Sequence, residues 1–414
     1  MAQPTMSVTP YWELTFDADG DVDPRQRDRL LAGVEQRKIR DLIVFSHGWN
    51  NDRSGATRLY SGFFAPIPGL APATARIGYA GVVWPSMRFC DEPIPGFPHT
   101  TAVAPAPGLD DGTRHALLKT FPGRAAVVER IAGLLDQRPP GEGGLEEFGR
   151  LVRELVADDV PPSCAADTQP EDEPEMFTGP TAAACEEFAA ALAGLASEGF
   201  TLPNPWDGAK ELLRQATYYA MKRRAGTVGE RGLGPLIGRL AAVAPELRVH
   251  LVGHSFGGRL VSFALSGLPE GVRSVKSVTL LQGAFSHYAF AARGMLQGRQ
   301  QRIDGPLVCC YSRFDQALST MYPLASRMAG DARGLVGKVL GAKWGAMGHD
   351  GVQEVPGTHA CALTEALSGT LPRSGCVNVD AAEVVSRGGA PAGAHSDIVH
   401  PELARLVLAA GRIR

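Results

Sequence analysis

The sequence predicts an α/β fold in which a mostly parallel sheet is covered by helices on both faces. Short apolar runs recur along the chain, each run ends in small or polar residues, and helical patterns separate several of them. Runs that are apolar at nearly every position are typical of strands buried on both sides. The predicted strands are 42–45, 81–83, 249–252, 277–281 and 307–311, with a weaker edge strand at 12–16.

Composition sets broad limits on the class of protein. With 414 residues, 44% of them hydrophobic, the chain can bury a large core or a core and a subdomain. A net charge of −3 gives no electrostatic reason to expect binding to nucleic acid or to an anionic membrane. The start of the chain lacks the pattern of a signal peptide, and no apolar run approaches the roughly 20 residues of a membrane span. We therefore expect a cytoplasmic protein without a transmembrane segment.

The seven cysteines are scattered and show no metal-binding spacing. We expect them to be free thiols. Cys164 and Cys185, which flank a polar loop, are the only pair that we consider for a disulfide.

One long segment, 94–200, breaks the rhythm of strands and helices. It opens with several prolines and contains an acidic stretch at 171–175, whereas amphipathic helical patterns occupy 127–135 and 145–156. We interpret 94–200 as an inserted, mainly helical subdomain with at least one mobile loop. The two flanking parts, 1–93 and 201–414, then form the core.

A serine surrounded by glycines stands between a predicted strand and a predicted helix, in the stretch GHSFGG at 253–258. Gly253 and Gly257 would let the strand and the helix approach each other around a sharply strained turn. Such a turn holds the Ser255 hydroxyl at the carboxyl edge of the sheet, beside the positive end of the helix. This pattern predicts that Ser255 is a nucleophile and that the N–H of Phe256 donates to an oxyanion. A glycine-rich turn without chemistry is the alternative.

A second donor for the oxyanion is expected in a loop after an earlier strand. The sequence HGWNN follows the strand at 42–45 directly. Gly48 permits a tight turn, so the N–H of Trp49 is the predicted donor. We expect His47 and Asn50 to hold this loop through hydrogen bonds. Asn50 or Asn51 could also cap the next helix.

A serine nucleophile needs a base to accept its proton and an acid to orient that base. The strand that ends at Leu281 is followed by no carboxylate, whereas the next strand is followed by Asp315, the predicted acid. Asp315 could also cap a helix that begins after it. Two histidines near the C-terminus could be the base. His395 lies in a flexible Gly/Ala/Ser loop and is preferred, whereas His400 lies beside the start of the last helix.

The order Ser255, Asp315, His395, the HGWNN loop and the GHSFGG elbow together resemble the α/β-hydrolase superfamily. The sequence is most similar to bacterial serine hydrolases of the esterase or lipase type. The resemblance covers roughly 41–86 and 206–414. It implies an α/β-hydrolase fold, a Ser-His-Asp triad, acyl-enzyme chemistry and a cap, here 94–200, inserted over the site.

The expected function is therefore hydrolysis of a carboxylic ester through an acyl-enzyme on Ser255. The aliphatic helices of the insertion weakly favour an apolar acyl group. No cofactor and no metal are expected, because an aspartate-rich stretch at 17–23 lacks the glycine position and the glutamate of a calcium loop and is better explained as a turn followed by a helix capped at Asp23. The partner is a small ester or acyl substrate, and no protein partner is predicted. A serine peptidase or amidase on the same fold and a catalytically silent binding domain remain alternatives.

Overall fold

The computed structural model describes residues 6–90, 108–157, 179–195, 204–315, 345–388 and 393–413. Its centre is one sheet of eight strands, paired in parallel throughout, with the order β1-β3-β2-β4-β5-β6-β8-β7. The strands are β1 Tyr11–Thr15, β2 Asp41–Ser46, β3 Ile77–Val83, β4 Arg248–His254, β5 Val275–Leu281, β6 Pro306–Tyr311, β7 His359–Ala362 and β8 Gly375–Asp380. The predicted α/β fold with a mostly parallel sheet is confirmed.

The sequence patterns locate six of these eight strands. All five buried runs and the edge strand at 12–16 are present within one to four residues of the predicted bounds. β7 and β8 were not predicted. β7 lies at the sheet edge with largely exposed side chains, so it carries no apolar run, and β8 has an amide, Asn378, between its two buried valines.

Helices cover both faces of the sheet. On the N-terminal side of the chain they are α1 Pro24–Gln36, α2 Arg53–Phe64, α3 Ile67–Leu70, α4 Asp111–Thr120, α5 Ala125–Gln137, α6 Glu142–Val156 and α7 Thr181–Leu195. They continue with α8 Pro205–Thr227, a π-helical turn Val228–Leu233, α9 Gly234–Val243, α10 Phe256–Ala264, α11 Met347–Asp350, α12 Leu363–Ser368 and α13 Pro401–Gly411. Short 3₁₀ turns lie at Pro122–Arg124 and Arg299–Arg302. Even α8, the longest described helix, is not apolar enough to span a membrane.

Along the inner strands of the sheet, alternating side chains belong to two separate hydrophobic clusters. In β2, Leu42 and Val44 belong to one cluster, whereas Ile43 and Phe45 belong to the other. This follows from the two-residue period of a strand, which sends successive side chains to opposite faces. The first cluster also contains residues of α1 and α4–α11, and the second contains residues of α2, α3, α12 and α13.

The described part of the 94–200 segment is helical. α5 and α6 bury the apolar faces that their sequence patterns predict. α6 and α7 pack against α8, which in turn packs against α10, and residues of all these helices belong to the same cluster as the sheet. The acidic stretch 171–175 and Cys164 lie outside the described residues, so the predictions of a mobile loop and of a pairing with Cys185 fall outside them too.

The aspartate-rich stretch near the N-terminus forms a turn and a helix cap. An oxygen of Asp17 accepts the N–H groups of Asp19 and Asp21 at 3.0 and 2.8 Å. Asp23 accepts the first N–H groups of α1, which begins at Pro24. The carboxylates therefore satisfy backbone donors, as the turn-and-cap interpretation predicted.

Glycines allow the helix that leads into β4 to pack directly on the backbone of α10. A Cβ on Gly229, in the π-helical turn, would lie 2.1 Å from the carbonyl oxygen of Leu260. A Cβ on Gly267 would lie 1.8 Å from the carbonyl oxygen of Glu230. Real Cβ atoms do not approach an oxygen this closely, so both positions require glycine. This contact fixes α10, and with it the turn at Ser255.

We predict that Gly229→Ala lowers the free energy of unfolding by about 1–3 kcal/mol or more, because the methyl group forces two backbones apart. The matched control is Gly143→Ala in α6, where an added Cβ meets nothing within 4 Å. Gly143→Ala should raise stability by about 0.5–1 kcal/mol, since alanine favours a helix. Urea unfolding measures both, and equal effects of the two changes would contradict the packing argument.

Candidate functional site

Ser255 occupies a strained turn between β4 and α10. Its backbone has φ 56° and ψ −124°, a conformation that costs a non-glycine residue about 1–3 kcal/mol. A Cβ on Gly253 would lie 2.3 Å from the carbonyl oxygen of Gly257. A Cβ on Gly257 would lie 2.0 Å from the carbonyl oxygen of Ser46, at the end of β2. Gly253 thus permits the approach of strand and helix that the sequence predicts, and Gly257 also makes room for the neighbouring strand.

Ser255, His395 and Asp315 form one hydrogen-bonded chain. The His395 Nε2 lies 2.9 Å from the Ser255 Oγ, and the His395 Nδ1 lies 2.8 Å from the Asp315 Oδ2. The Asp315 side chain is fully buried and that of His395 is 14% exposed. Because a carboxylate accepts the Nδ1–H, the unprotonated Nε2 faces the serine hydroxyl. The contacts predicted for these three residues are present.

His400 lies elsewhere. Its Nε2 is 2.8 Å from an oxygen of Asp397, and it occupies the N-cap position of α13 without a capping side-chain bond. The other oxygen of Asp397 accepts the N–H groups of Ser386 and Arg387. His400 and Asp397 thus tie together the two ends of the loop that carries His395. The helix that Asp315 could cap would lie in 316–344, outside the described residues.

The HGWNN loop lies against the nucleophile. A Cβ on Gly48 would be 2.6 Å from the Ser255 Cβ and 3.1 Å from its Oγ. Only glycine fits there, and the next residue along the chain is Trp49. Phe256 is the first residue of α10. The two predicted oxyanion donors, the N–H groups of Trp49 and Phe256, therefore belong to the residues that adjoin these contacts.

His47 holds the loop through its ring and its backbone. The ring Nδ1 bonds to the carbonyl oxygen of Gly48 at 2.8 Å, and the backbone N–H donates to the Tyr60 hydroxyl at 2.9 Å. The Trp84 indole N–H donates to the carbonyl oxygen of His47 and the two rings stack. Burial lowers the pKa of His47 to about 4, so the ring is neutral at pH 7. These contacts are of the kind predicted for His47.

Asn50 also holds the loop. It has a left-handed backbone, with φ 58°. Its side-chain oxygen accepts the N–H of Phe89 at 2.9 Å, and its own N–H donates to Met87 at 3.1 Å. The prediction that Asn50 or Asn51 caps α2 is wrong. Asp52 is the cap, because it directly precedes α2 and its carboxylate accepts the N–H of Gly55 in the first turn.

Gln282 joins the site from a position that the sequence reasoning passed over. It follows β5, is fully buried and has φ 49°. Its Nε2 donates to the Asp315 Oδ2 at 3.1 Å and to the carbonyl oxygen of Gly348 at 2.9 Å. Gln282 carries no carboxylate and was therefore not predicted as a site residue. The signal in the sequence was a polar side chain at the end of β5, because β5 is the neighbour of β6, the strand that Asp315 follows.

His254, beside the nucleophile, contacts the loop of the base. Its Nε2 lies 2.9 Å from the carbonyl oxygen of His395. Burial lowers the pKa of His254 to about 3, so the neutral ring donates its Nε2–H to that carbonyl. This contact gives His254 a structural role in holding the loop of His395.

Aromatic side chains link the site to α8. The Tyr218 ring lies 5.3 Å from the Trp49 ring and 4.7 Å from the Phe256 ring, between centroids. Phe89 lies 6.1 Å from Trp49. The two residues with the candidate oxyanion donors therefore belong to one aromatic cluster. Its α8 member, Tyr218, lies on the helix that packs against α6 and α7.

A second chain of serine, histidine and aspartate lies at the opposite edge of the sheet. His250 in β4 bonds through Nε2 to Asp41 at 3.0 Å and through Nδ1 to Ser277 at 2.9 Å. All three side chains are about 99–100% buried, and a Cβ on Gly411 would lie 2.6 Å from the His250 ring. Burial lowers the pKa of His250 in spite of Asp41. This chain joins the first halves of three strands and is structural.

Comparison of the chain with protein-family models, curated proteins and solved structures gave no match. The chemistry of the site is therefore argued from its own geometry.

We predict that the protein loses stability on acidification below about pH 6.5. In the unfolded chain histidines bind protons near pH 6.5, whereas folded His47 and His254 do so only near 4 and 3. The unfolded state thus binds more protons in this window, and each histidine should cost about 2 kcal/mol between pH 7 and pH 5. Urea unfolding at both pH values measures the loss.

Single variants separate the contributions of His47 and His254 to this loss of stability. His47→Gln and His254→Gln should each reduce the loss of stability between pH 7 and pH 5. His115→Gln, on the exposed side of α4, should leave it unchanged. An identical pH dependence in all three variants would refute the assignment to the buried rings.

Proposed function

We propose that this protein is a serine hydrolase of the α/β-hydrolase type that cleaves carboxylic esters through an acyl-enzyme on Ser255. The observation that carries the proposal is the continuous chain from Asp315 through His395 to Ser255, with hydrogen-bond distances of 2.8 and 2.9 Å. A strained serine at the carboxyl edge of a parallel sheet, beside the first turn of a helix, supports it.

In acylation, the first half of the reaction, each residue has its own role. The Ser255 Oγ attacks the ester carbonyl carbon while its proton moves to the Nε2 of His395. The buried Asp315 carboxylate stabilises the imidazolium that forms. The carbonyl oxygen becomes an oxyanion, which accepts hydrogen bonds from the N–H groups of Trp49 and Phe256. When the tetrahedral intermediate collapses, the C–O bond to the leaving group breaks and His395 returns its proton to the departing alkoxide.

Deacylation repeats these steps with water. His395 removes a proton from a water molecule, whose oxygen attacks the acyl carbon bound to Ser255. The same two backbone donors hold the second oxyanion. Collapse breaks the acyl–serine bond, the Ser255 oxygen regains a proton from His395, and the carboxylic acid leaves.

The position of these groups along the sheet supports the α/β-hydrolase type. The nucleophile follows β4, the acid follows β6 two strands away, and the base follows β8, which pairs with β6. The loop with Trp49 follows β2, the neighbour of β4 on the other side. The aromatic cluster of Trp49, Phe256 and Tyr218 favours an apolar acyl group. We assign the 94–200 segment, whose helices α6 and α7 pack on α8, as the cap of this site.

We predict that Ser255→Ala abolishes covalent labelling by a fluorophosphonate probe and leaves the thermal unfolding midpoint near that of the unchanged protein. The probe reacts only with an activated serine, and the substitution removes one oxygen without adding volume. Ser262→Ala is the matched control, because its hydroxyl is buried about two helix turns further along α10 and bonds to the Gly258 carbonyl. Labelling of Ser255→Ala would reject the nucleophile, and no labelling of the unchanged protein would favour a silent binding domain.

We predict that His395→Ala lowers the turnover of p-nitrophenyl butyrate about 10⁴-fold or more, as the loss of a triad base does. Asp315→Asn should lower it by a smaller factor, and the double variant should add little, because the two residues act as one unit. His400→Ala, which removes a histidine of the same loop without contact to Ser255, should retain turnover. Loss of turnover in His400→Ala with full activity in His395→Ala would reverse the assignment of the base.

A further inference from the structure

We infer that Gln282 is a positioning residue of this site: its amide holds the Asp315 carboxylate and sets how readily His395 takes up a proton. The inference rests on the proposed function, since it concerns the acid and the base of the same reaction.

The backbone of Gln282 brings its side chain to the carboxylate. β5 and β6 are neighbours, and Gln282 and Asp315 follow their ends. The N–H of Gln282 donates to Cys310 at 3.3 Å, which continues the strand pairing by one residue. The chain then turns with φ 49°, a left-handed conformation that few side chains adopt without cost. Gln282 shares this backbone conformation with several other residues, and its side chain reaches Asp315.

The chemistry of the partners fixes the orientation of the amide. Asp315 Oδ2 and the carbonyl oxygen of Gly348 only accept hydrogen bonds, so the group that faces both must be the NH₂ of Gln282. The same Oδ2 accepts the Nδ1–H of His395. One carboxylate oxygen therefore receives a donor from the base and a donor from Gln282.

A neutral donor suits this position for an electrostatic reason. A hydrogen bond to a buried carboxylate favours its ionised form. It also draws off part of the negative potential that Asp315 presents to the His395 ring. The His254 ring faces His395 as well, at 5.0 Å between centroids, and no change at Gln282 alters it. A lysine or arginine at this position would cancel the charge that the imidazolium requires, whereas an apolar side chain would leave the carboxylate with one donor fewer.

The test is the pH dependence of fluorophosphonate labelling, whose rate constant needs no knowledge of the substrate. Gln282→Met keeps the length of the side chain and removes the donor. Gln282→Asn keeps an amide, which cannot reach Asp315, and asparagine tolerates the left-handed backbone, so this variant guards against a failure to fold. In both, the acid limb of the rate profile should move to higher pH by about half a unit or more, and the maximal rate constant should fall about 10-fold or more, as for a lost hydrogen bond to a charged group.

The control is Asn378→Leu, which removes another buried amide. Asn378 makes two hydrogen bonds to the backbone of Val352, at 2.8 and 2.9 Å, and it does not contact the three residues of the chain. This variant should lose stability and keep the acid limb in place. An unchanged limb in both Gln282 variants, or an equal shift in Asn378→Leu, would overturn the role of Gln282 alone. Labelling that persists in Ser255→Ala would instead reject the proposed function, and the inference with it.

Discussion

The site depends on the close approach of three backbone segments around Ser255. β4, the start of α10 and the end of β2 meet with no room for a Cβ at Gly253 or Gly257, and the loop after β2 meets Ser255 itself at Gly48. Together these contacts fix the turn. The surrounding structure therefore holds Ser255 at φ 56°, a conformation that the isolated residue would avoid. The π-helical turn packs through Gly229 on the backbone of α10 at Leu260 and so helps to fix the position of this helix.

The electrostatics of the site distinguish one histidine from its neighbours. His47, directly after β2, and His254, at the end of β4, are both buried, and burial holds their pKa values near 4 and 3, so neither competes for a proton at neutral pH. Their rings serve as hydrogen-bond partners for backbone groups instead. Of these three rings, that of His395 has the Asp315 carboxylate on one nitrogen and the Ser255 hydroxyl on the other. Asp315 therefore holds the ring that we propose as the base.

The chain order of the key residues was predictable because parallel strands end at one edge of a sheet. Once the buried runs are located, the residues after them must lie side by side, which is how Ser255, Asp315 and the HGWNN loop were found. The contact of Gln282 was not predictable in this way. It depends on a left-handed residue and on the carbonyl of Gly348, which lies 66 residues further along the chain. β8 escaped prediction because Asn378 interrupts its apolar pattern with a side chain that satisfies the backbone of Val352.

Two chains of serine, histidine and aspartate in one sheet show why residue types alone do not define a site. In the chain of Asp41, His250 and Ser277 the histidine is sealed by α13, and Ser277 lies inside a regular strand. A hydroxyl there lies inside the core and cannot meet an ester. The chain that contains Ser255 lies at the opposite edge, where strands end and the backbone turns. Strand ends leave N–H groups without ladder partners, and a helix begins there, so the same three residue types lie beside the backbone donors that we propose for an oxyanion. The direction of the strands, more than the identity of the residues, separates the buried network from the one that we propose as reactive.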